Sequence, residues 1–419
     1  MKVIRTTLAG LGFLGCVQVN AAPAFTRDVL PILQQNCQSC HRPGEIAPMS
    51  FLSYESTRPW AKAIKTSVLI GKMPPWFADP SVGHFANDRT LSQAAKDTLT
   101  AWADAGAPMG DAKDAPKPVE FTDGWNIGKP DVILSMDRAF QVPAKGTIDY
   151  QYFVVPTGFT EDKWVEVVEM RPGNNTVVHH GAAFVREHKA GEPARQGGPG
   201  ASDELLDFHV PGSVPHRLQP GQAKFIKAGS DLVFQMHYTA NGKAAEDLTR
   251  IGIVFAKEPP RERIYTLSVT NPGFRIPPND GNYQVDAKFT VNDNARIIAL
   301  NPHMHVRGKS FEFRVVPPGG GAQPLLRVPK YDFAWQLQYY LADPIAIVPG
   351  TTIECTAHYD NSANNPFNPD PSKEVRWGDQ SWEEMMIGTV DLALDAKANP
   401  LDLYPRRASA SRQQSGSHR

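Results

Sequence analysis

Cysteine is scarce in this chain of 419 residues, with four in all. Cys16 lies near the N-terminus, Cys37 and Cys40 share one short motif, and Cys355 stands alone. That distribution excludes a disulfide framework, so the fold has to stand on core packing and on any metals it binds. Net charge is scarce too: 43 basic against 44 acidic residues leave a formal charge of −1. Nothing in that balance draws the chain to nucleic acid or to an anionic membrane surface, and neither partner is expected. The apolar run near the N-terminus is shorter than the ~20 residues a bilayer core requires, so no transmembrane span is expected in the mature chain.

What is present begins with a leader. Residues 1–22 place Lys2 and Arg5 before the apolar run and end in small residues, the layout of a secretory signal peptide cleaved after Ala21 or Ala22. The mature chain is therefore expected in the periplasm or outside the cell. Cys16 in FLGC offers a site for a lipid anchor, but Phe13 suits that signal poorly.

The length exceeds one core, since cores stop growing near roughly 250–300 residues. Over residues 23–112 the periodicity is helical: FTRDVLPILQQN, RPWAKAIKTSVLIGK and LSQAAKDTLTAWADAG carry apolar residues at three and four spacing, and Gly106 and Pro108 stop the last helix. Residues 113–122, rich in Lys, Asp and Pro, read as a linker. Beyond it, short apolar or alternating segments separated by PG, NG, DG and GGG turns read as antiparallel β-sandwich, with almost no amphipathic helix. The EPPRER stretch near Pro260 divides this region into two sandwiches, 123–260 and 261–398, and residues 399–419 read as a disordered tail.

The first helical segment runs into CQSCH. A CxxCH motif supplies two thiols for thioether bonds to the haem vinyls, here Cys37 and Cys40, and an axial imidazole, here His41. Half of a zinc site would need further cysteines nearby, and there are none. Helices around such a motif resemble a small c-type cytochrome, so 23–112 is expected to be an all-α haem domain. For the second axial position Met73 is preferred, in a loop stiffened by Pro74 and Pro75. Met49 and His84 are the alternatives.

Five of the chain's twelve histidines outside that motif fall in tight clusters: His179 and His180, His237 in FQMHY, and His303 and His305 in NPHMH. In a strand, residues i and i+2 share a face, so His303 and His305 can reach one metal. His179 and His180 need a bend or bulge to do so, and Gly181 makes one reasonable. Imidazole suits copper, zinc and iron, whereas a thioether selects for copper. The pair Met385 and Met386 therefore points to two sites, one of three histidines and one of two histidines and a methionine.

Those residues resemble the copper type II, ascorbate-dependent monooxygenases, the family of peptidylglycine α-hydroxylating monooxygenase and dopamine β-monooxygenase. The likeness spans roughly residues 131–391, and its motifs follow in order: HH, Gln235 to Tyr238 as QxHY, HxH with a glycine after it, and EEM. It implies an electron-transfer copper on His179, His180 and His237, and an O2-activating copper on His303, His305 and Met385. Met385 is preferred to Met386 because it directly follows the acidic pair Glu383 and Glu384. It also implies one copper per sandwich across a solvent-filled gap, and insertion of one oxygen atom into a C–H bond. The amidating enzymes hold a substrate carboxylate at positions that here are Asn301, Thr389 and Ile387, so no carboxylate clamp stands there and a peptidylglycine substrate is not expected.

The expected function is an exported monooxygenase using haem c and two copper ions. Its substrates would be O2 and a small organic molecule, and an external electron donor would reduce the haem, which relays electrons to the copper. The alternative is a non-catalytic haem and copper protein that transfers electrons or binds copper. Of the remaining histidines, His358 is a candidate to line the second copper site, His188, His209 and His216 carry no assignment, and His418 lies in the tail. Cys355 reads as a buried strand thiol.

Overall fold

The computed structural model describes residues 22–121, 124–188, 197–200, 203–210 and 213–405. Residues 1–21 of the leader, Cys16 among them, and His418 lie outside them. Among the described residues, no helix is long and apolar enough to cross a membrane.

Strands dominate. An eight-stranded sheet runs in the order Val132–Ser135, Arg250–Phe255, Lys163–Arg171, Gln222–Ile226, Glu262–Thr270, Ile387–Asp395, Ala295–His303 and Tyr339–Ile347. Its first four strands are covered by a four-stranded sheet of Gln151–Pro156, Asp231–Tyr238, Val178–Arg186 and Glu204–His209. The second four face another, of Tyr283–Thr290, Thr352–Tyr359, Gly308–Val316 and Gln323–Val328. Alternation decides the faces: in Thr352–Tyr359 every second residue, Ile353, Cys355, Ala357 and Tyr359, is buried.

The two sandwiches are not separate bodies. Just past Pro260, Glu262 and Arg263 pair in parallel with Gln222 and Ala223, so one sheet passes through both halves. The Gln222 amide donates to Glu262 at 2.9 Å, and Arg296 ion-pairs with the same carboxylate. Each half keeps its own apolar core, one around Phe234, Ile251 and Ile226 and one around Leu300, Phe313 and Val390.

The expected all-α cytochrome domain is not formed. The N-terminal segment has α-helices of only 7, 4, 9 and 12 residues: Leu30–Asn36, Tyr54–Thr57, Ala61–Leu69 and Gln93–Asp104. They bury one small cluster around Phe25, Leu33, Leu99 and Trp102. Between the last two helices, Trp76, Phe77 and Phe85 leave that cluster and pack into the C-terminal sandwich core. Ala86 N–H donates to Tyr340 O and Ala342 N–H to His84 O, both at 2.9 Å or less, which lays residues 84–86 along the sheet edge. Helical periodicity shows that a face is apolar, but not what covers it, and here the β region covers much of this segment. The start of the expected disordered tail is ordered. Pro400–Leu403 forms a 3-10 turn with Leu403 buried in the C-terminal core.

Gly388 marks a close approach between the C-terminal sheets. A Cβ there would lie 2.5 Å from Cys355 Sγ and 2.7 Å from the Phe313 ring. Gly388→Ala should therefore cost about 1–3 kcal/mol by overpacking, read as a lower denaturation midpoint. Adding Cys355→Ala should recover part of the loss.

Candidate metal centre

The N-terminal half positions three imidazoles. Val178–Arg186 pairs with Asp231–Tyr238 as Val178 with Tyr238 and then His180 with His237, so the register shifts at His179. That irregularity turns two successive side chains toward one point. Gly181 follows because a Cβ there would strike the sulfurs of Met170 and Met236. One donor atom from each of His179, His180 and His237 lies within 4.8 Å of the other two. The Nδ1 atoms of His179 and His180 are 2.9 Å apart, comparable to the about 3.3 Å between tetrahedral donors at 2.0–2.1 Å from an ion. Tyr150 fixes the group from behind, its hydroxyl 2.8 Å from His180 Nε2 and its ring stacked on His237 at 4.8 Å.

The C-terminal half supplies the second set. The strand Ala295–His303 pairs with Ile387–Asp395, with His303 opposite Ile387. The pairing ends there, and His305 contacts the turn preceding Ile387–Asp395 instead, its Nδ1 3.3 Å from Glu383 O. Glu384 ties the two together: its buried carboxylate accepts the backbone N–H of His305 at 2.8 Å and of Arg307 at 2.7 Å. Burial pushes the pKa of Glu384 up to about 8, against the pull of those donors and the Arg307 guanidinium. Met304 points into the core and Tyr331 clamps its backbone, so its neighbours His303 and His305 face the other way. Met386 is likewise fully buried in the core, while Met385 is half-buried outside it.

Burial keeps all five imidazoles neutral. It lowers the pKa of His179 and His303 to about 4 and of His237 to about 3, and takes His180 and His305 well below the ordinary value; neighbouring imidazoles push His180, His237 and His305 further down. Two ring nitrogens, His237 Nδ1 and His305 Nε2, are buried with no hydrogen-bond partner. A buried unpaired polar atom costs roughly 1–3 kcal/mol. Neutral, aimed donors without partners are what a soft or borderline metal requires, so these residues fit metal ions. His305 Nδ1 lies 3.3 Å from the Glu383 carbonyl, an outer contact that leaves Nε2 as the donor.

Where the family resemblance implies a solvent-filled gap between the two sets, Phe333 and Gln336 stand among the histidines. The Phe333 ring lies 5.0–6.1 Å from the rings of His179, His180, His237 and His305. The Gln336 amide spans the two sets, Oε1 at 2.5 Å from His303 Nδ1 and Nε2 at 3.5 Å from His180 Nδ1. Ser381, two residues before Glu383, reaches His237 Nε2 at 3.2 Å. Sequence reading missed Tyr150, Phe333, Gln336 and Ser381. The aromatic run YDFAWQL over 331–337 was the available signal, since such a loop in a turn region demands burial. Asn301 and Thr389, the positions lacking a carboxylate clamp, hold this loop instead. The Asn301 amide donates to the carbonyls of Gln336 and Leu337, and the Thr389 hydroxyl to Asn301 O.

At the CQSCH turn, His41 Nδ1 lies 3.3 Å from Met49 O and the ring stacks on Phe51 at 4.2 Å, which leaves Nε2 free. Burial pushes the Cys37 thiol up to about 12 and raises Cys40 as well, so both are protonated thiols in this setting. Cys40 borders a cavity of about 550 Å³, within the roughly 300–1,000 Å³ range of cofactor pockets. Its other walls come from both sandwiches, including Met170, His209 and Tyr340. Of the haem-binding residues read from the sequence, Cys40 borders this cavity, whereas Cys37 and His41 do not. Neither Met49 nor Met73 borders the cavity; Met49 packs on the helical cluster, and His84 is exposed beside Asp343. His358 stands apart from the metal cluster: it bonds Ser310 on the sheet face opposite the core, 3.2 Å away. Cys355 is a buried strand thiol, 1% exposed.

No protein-family model matches the chain, and no curated protein does. Among solved structures, that of the infectious bursal disease virus Gt strain is 7% identical over 68% of this chain and 76% of that one, with a TM-score of 0.20. Allantoicase from Saccharomyces cerevisiae is 6% identical over 60% and 80%, with a TM-score of 0.19. Likenesses this weak carry no information on what the chain does.

Glu384→Gln offers only one good acceptor to two backbone N–H groups. It should loosen residues 303–307 and weaken metal binding at His303 and His305 about 10- to 100-fold, with the His179 set unchanged. Competition titration with a Cu(I) chelator would show one weakened site of two.

Proposed function

We propose that the chain is a haem- and copper-dependent monooxygenase, inserting one oxygen atom from O2 into a C–H bond of a small organic substrate. The observation that carries this reading is the cluster of His179, His180 and His237, with His303 and His305 reached across Gln336 and Phe333, and two orphaned ring nitrogens among these five imidazoles. His179, His180 and His237 would hold one copper, and His303, His305 and Met385 the other. Copper there supplies one-electron redox chemistry and, with only three protein ligands at the second site, an open position for O2.

The chain's own residues prepare that chemistry. Tyr150 and Ser381 fix the rings of His180 and His237, and the Glu383 carbonyl sets the tautomer of His305. Phe333 excludes water from the space between the sets, and Gln336 couples their positions. A haem on Cys37, Cys40 and His41 would relay electrons from an external donor. Its loop meets the turn before the histidine strand: Asn175, four residues before His179, donates to Gly44 O at 3.2 Å. A tethered donor of this kind acts at high effective concentration.

One observation favours the non-catalytic reading, a haem and copper relay: none of the five histidines borders the 550 Å³ cavity, and Phe333 occupies the space a substrate would need. Turnover therefore requires the 331–337 loop to move. Copper-loaded protein with a reductant and candidate C–H substrates should consume O2 above the buffer rate, and His303→Ala should abolish that uptake. Uptake at the buffer rate throughout would favour the relay. In stopped flow, reduced haem should be oxidised faster in copper-loaded protein than in a His237→Ala variant; equal rates would exclude haem-to-copper transfer through that site.

A further inference from the structure

The cavity of about 550 Å³ beside Cys40 has a lining that is rich in charge yet balanced in sign. Arg42, Arg89 and Arg171 stand against Glu45, Glu169 and Asp207. Arg42 pairs with Glu45 at 2.8 Å, Arg171 contacts Glu169 at 3.5 Å, and Asp207 accepts the Met170 N–H at 3.0 Å. A charged guest would have to compete with contacts already made and leave one partner unpaired, so the lining favours an uncharged one. Rings supply much of the remaining wall, among them Trp76, Phe121, Phe208 and Tyr340. One acceptor is left over. His209 ends the strand Glu204–His209 and pairs across to Gly181, so a rigid sheet holds its backbone. The Ser213 hydroxyl donates to Val210 O at 2.8 Å, which leaves Ser213 Oγ to accept from His209 Nδ1 at 3.3 Å. The His209 Nε2 lone pair has no hydrogen-bond partner among the described residues, and burial lowers the ring's pKa to about 4, so it stays an acceptor.

This space backs onto the histidine cluster without including it. Gln336 borders the cavity, and its amide reaches His303 Nδ1 at 2.5 Å and His180 Nδ1 at 3.5 Å. Phe208 borders it too, with its ring 5.7 Å from that of His180. A single side chain therefore separates the cavity from the rings that would hold copper. We propose that this cavity binds the substrate of the copper sites, and that the substrate is a small, uncharged, ring-bearing molecule whose hydroxyl or amide N–H donates to His209 Nε2. The proposal rests on the copper reading above. The volume falls within the roughly 300–1,000 Å³ of small-molecule sites. Gln336 is the divider that a bound substrate displaces to approach the histidines. Asn301 holds the backbone carbonyls of Gln336 and Leu337, so the Gln336 side chain is the part that yields.

The test is saturation-transfer NMR on the full-length protein with two probes of one skeleton, neutral 4-hydroxybenzyl alcohol and anionic 4-hydroxybenzoate. Metal-free protein should bind the alcohol several-fold more tightly than the benzoate. His209→Leu should weaken the alcohol about 2- to 10-fold, the loss of one hydrogen bond. Val214 borders the cavity and is 63% exposed, so Val214→Trp obstructs the mouth without disturbing the core and should abolish the transfer. Loading with Cu(II), followed by titration, should broaden the bound alcohol's resonances beyond what loading with Zn(II) does. No transfer to the alcohol, equal affinity for the benzoate, or binding that survives Val214→Trp would overturn the proposal. Copper-loaded protein that binds the alcohol without added broadening would overturn the substrate role. Copper that fails to bind would overturn the copper reading itself, and is distinguishable because the metal-free binding data do not depend on it.

Discussion

The parallel pairing of Gln222 and Ala223 with Glu262 and Arg263 is the join on which the rest depends. Two sandwiches linked by a flexible connection would take many relative positions, and donor atoms on each would meet only at an entropic cost. One continuous sheet removes that freedom. The Gln222–Glu262 hydrogen bond and the Arg296 ion pair hold the crossing, and each half keeps its own core on either side. The strand ends bearing His179, His180 and His237 then face the ends bearing His303 and His305.

Given that frame, the cluster is shaped by what it leaves unsatisfied. Its rings are desolvated, held neutral by burial, and fixed by partners on their outer nitrogens, while inner nitrogens such as His305 Nε2 find no protein donor. Water or a packed apolar group would be a cheaper solution for a purely structural site. Phe333 and Gln336, from a loop held by Asn301, stand between the two sets and link them.

The N-terminal segment follows a similar logic at larger scale. Its helices bury one cluster and no more, and its remaining aromatic residues, Trp76, Phe77 and Phe85, find cover on the C-terminal sandwich. The CQSCH turn consequently faces the β region across a cavity to which three parts of the chain contribute. A segment that shares its walls in this way gains stability from the neighbour and gives up independence.

Much of this was legible in the residues alone. Alternating burial in segments such as Thr352–Tyr359 and the turn signals between them mark antiparallel strands, because a pleated strand repeats every two residues. The pair His179 and His180 marks donors because a bend suffices to turn such neighbours toward one point, where His237 joins them. What lay beyond the sequence was every relation between distant residues: the shared sheet, Phe333 wedged among four histidines, Gln336 spanning both sets, and the residues of both sandwiches that wall the cavity beside Cys40. Local pattern states which side of an element is apolar or polar, whereas the partner of that side is chosen by packing over the whole chain. For that reason the sequence by itself determined the strands and the donors, and only the tertiary structure decided what stands between them.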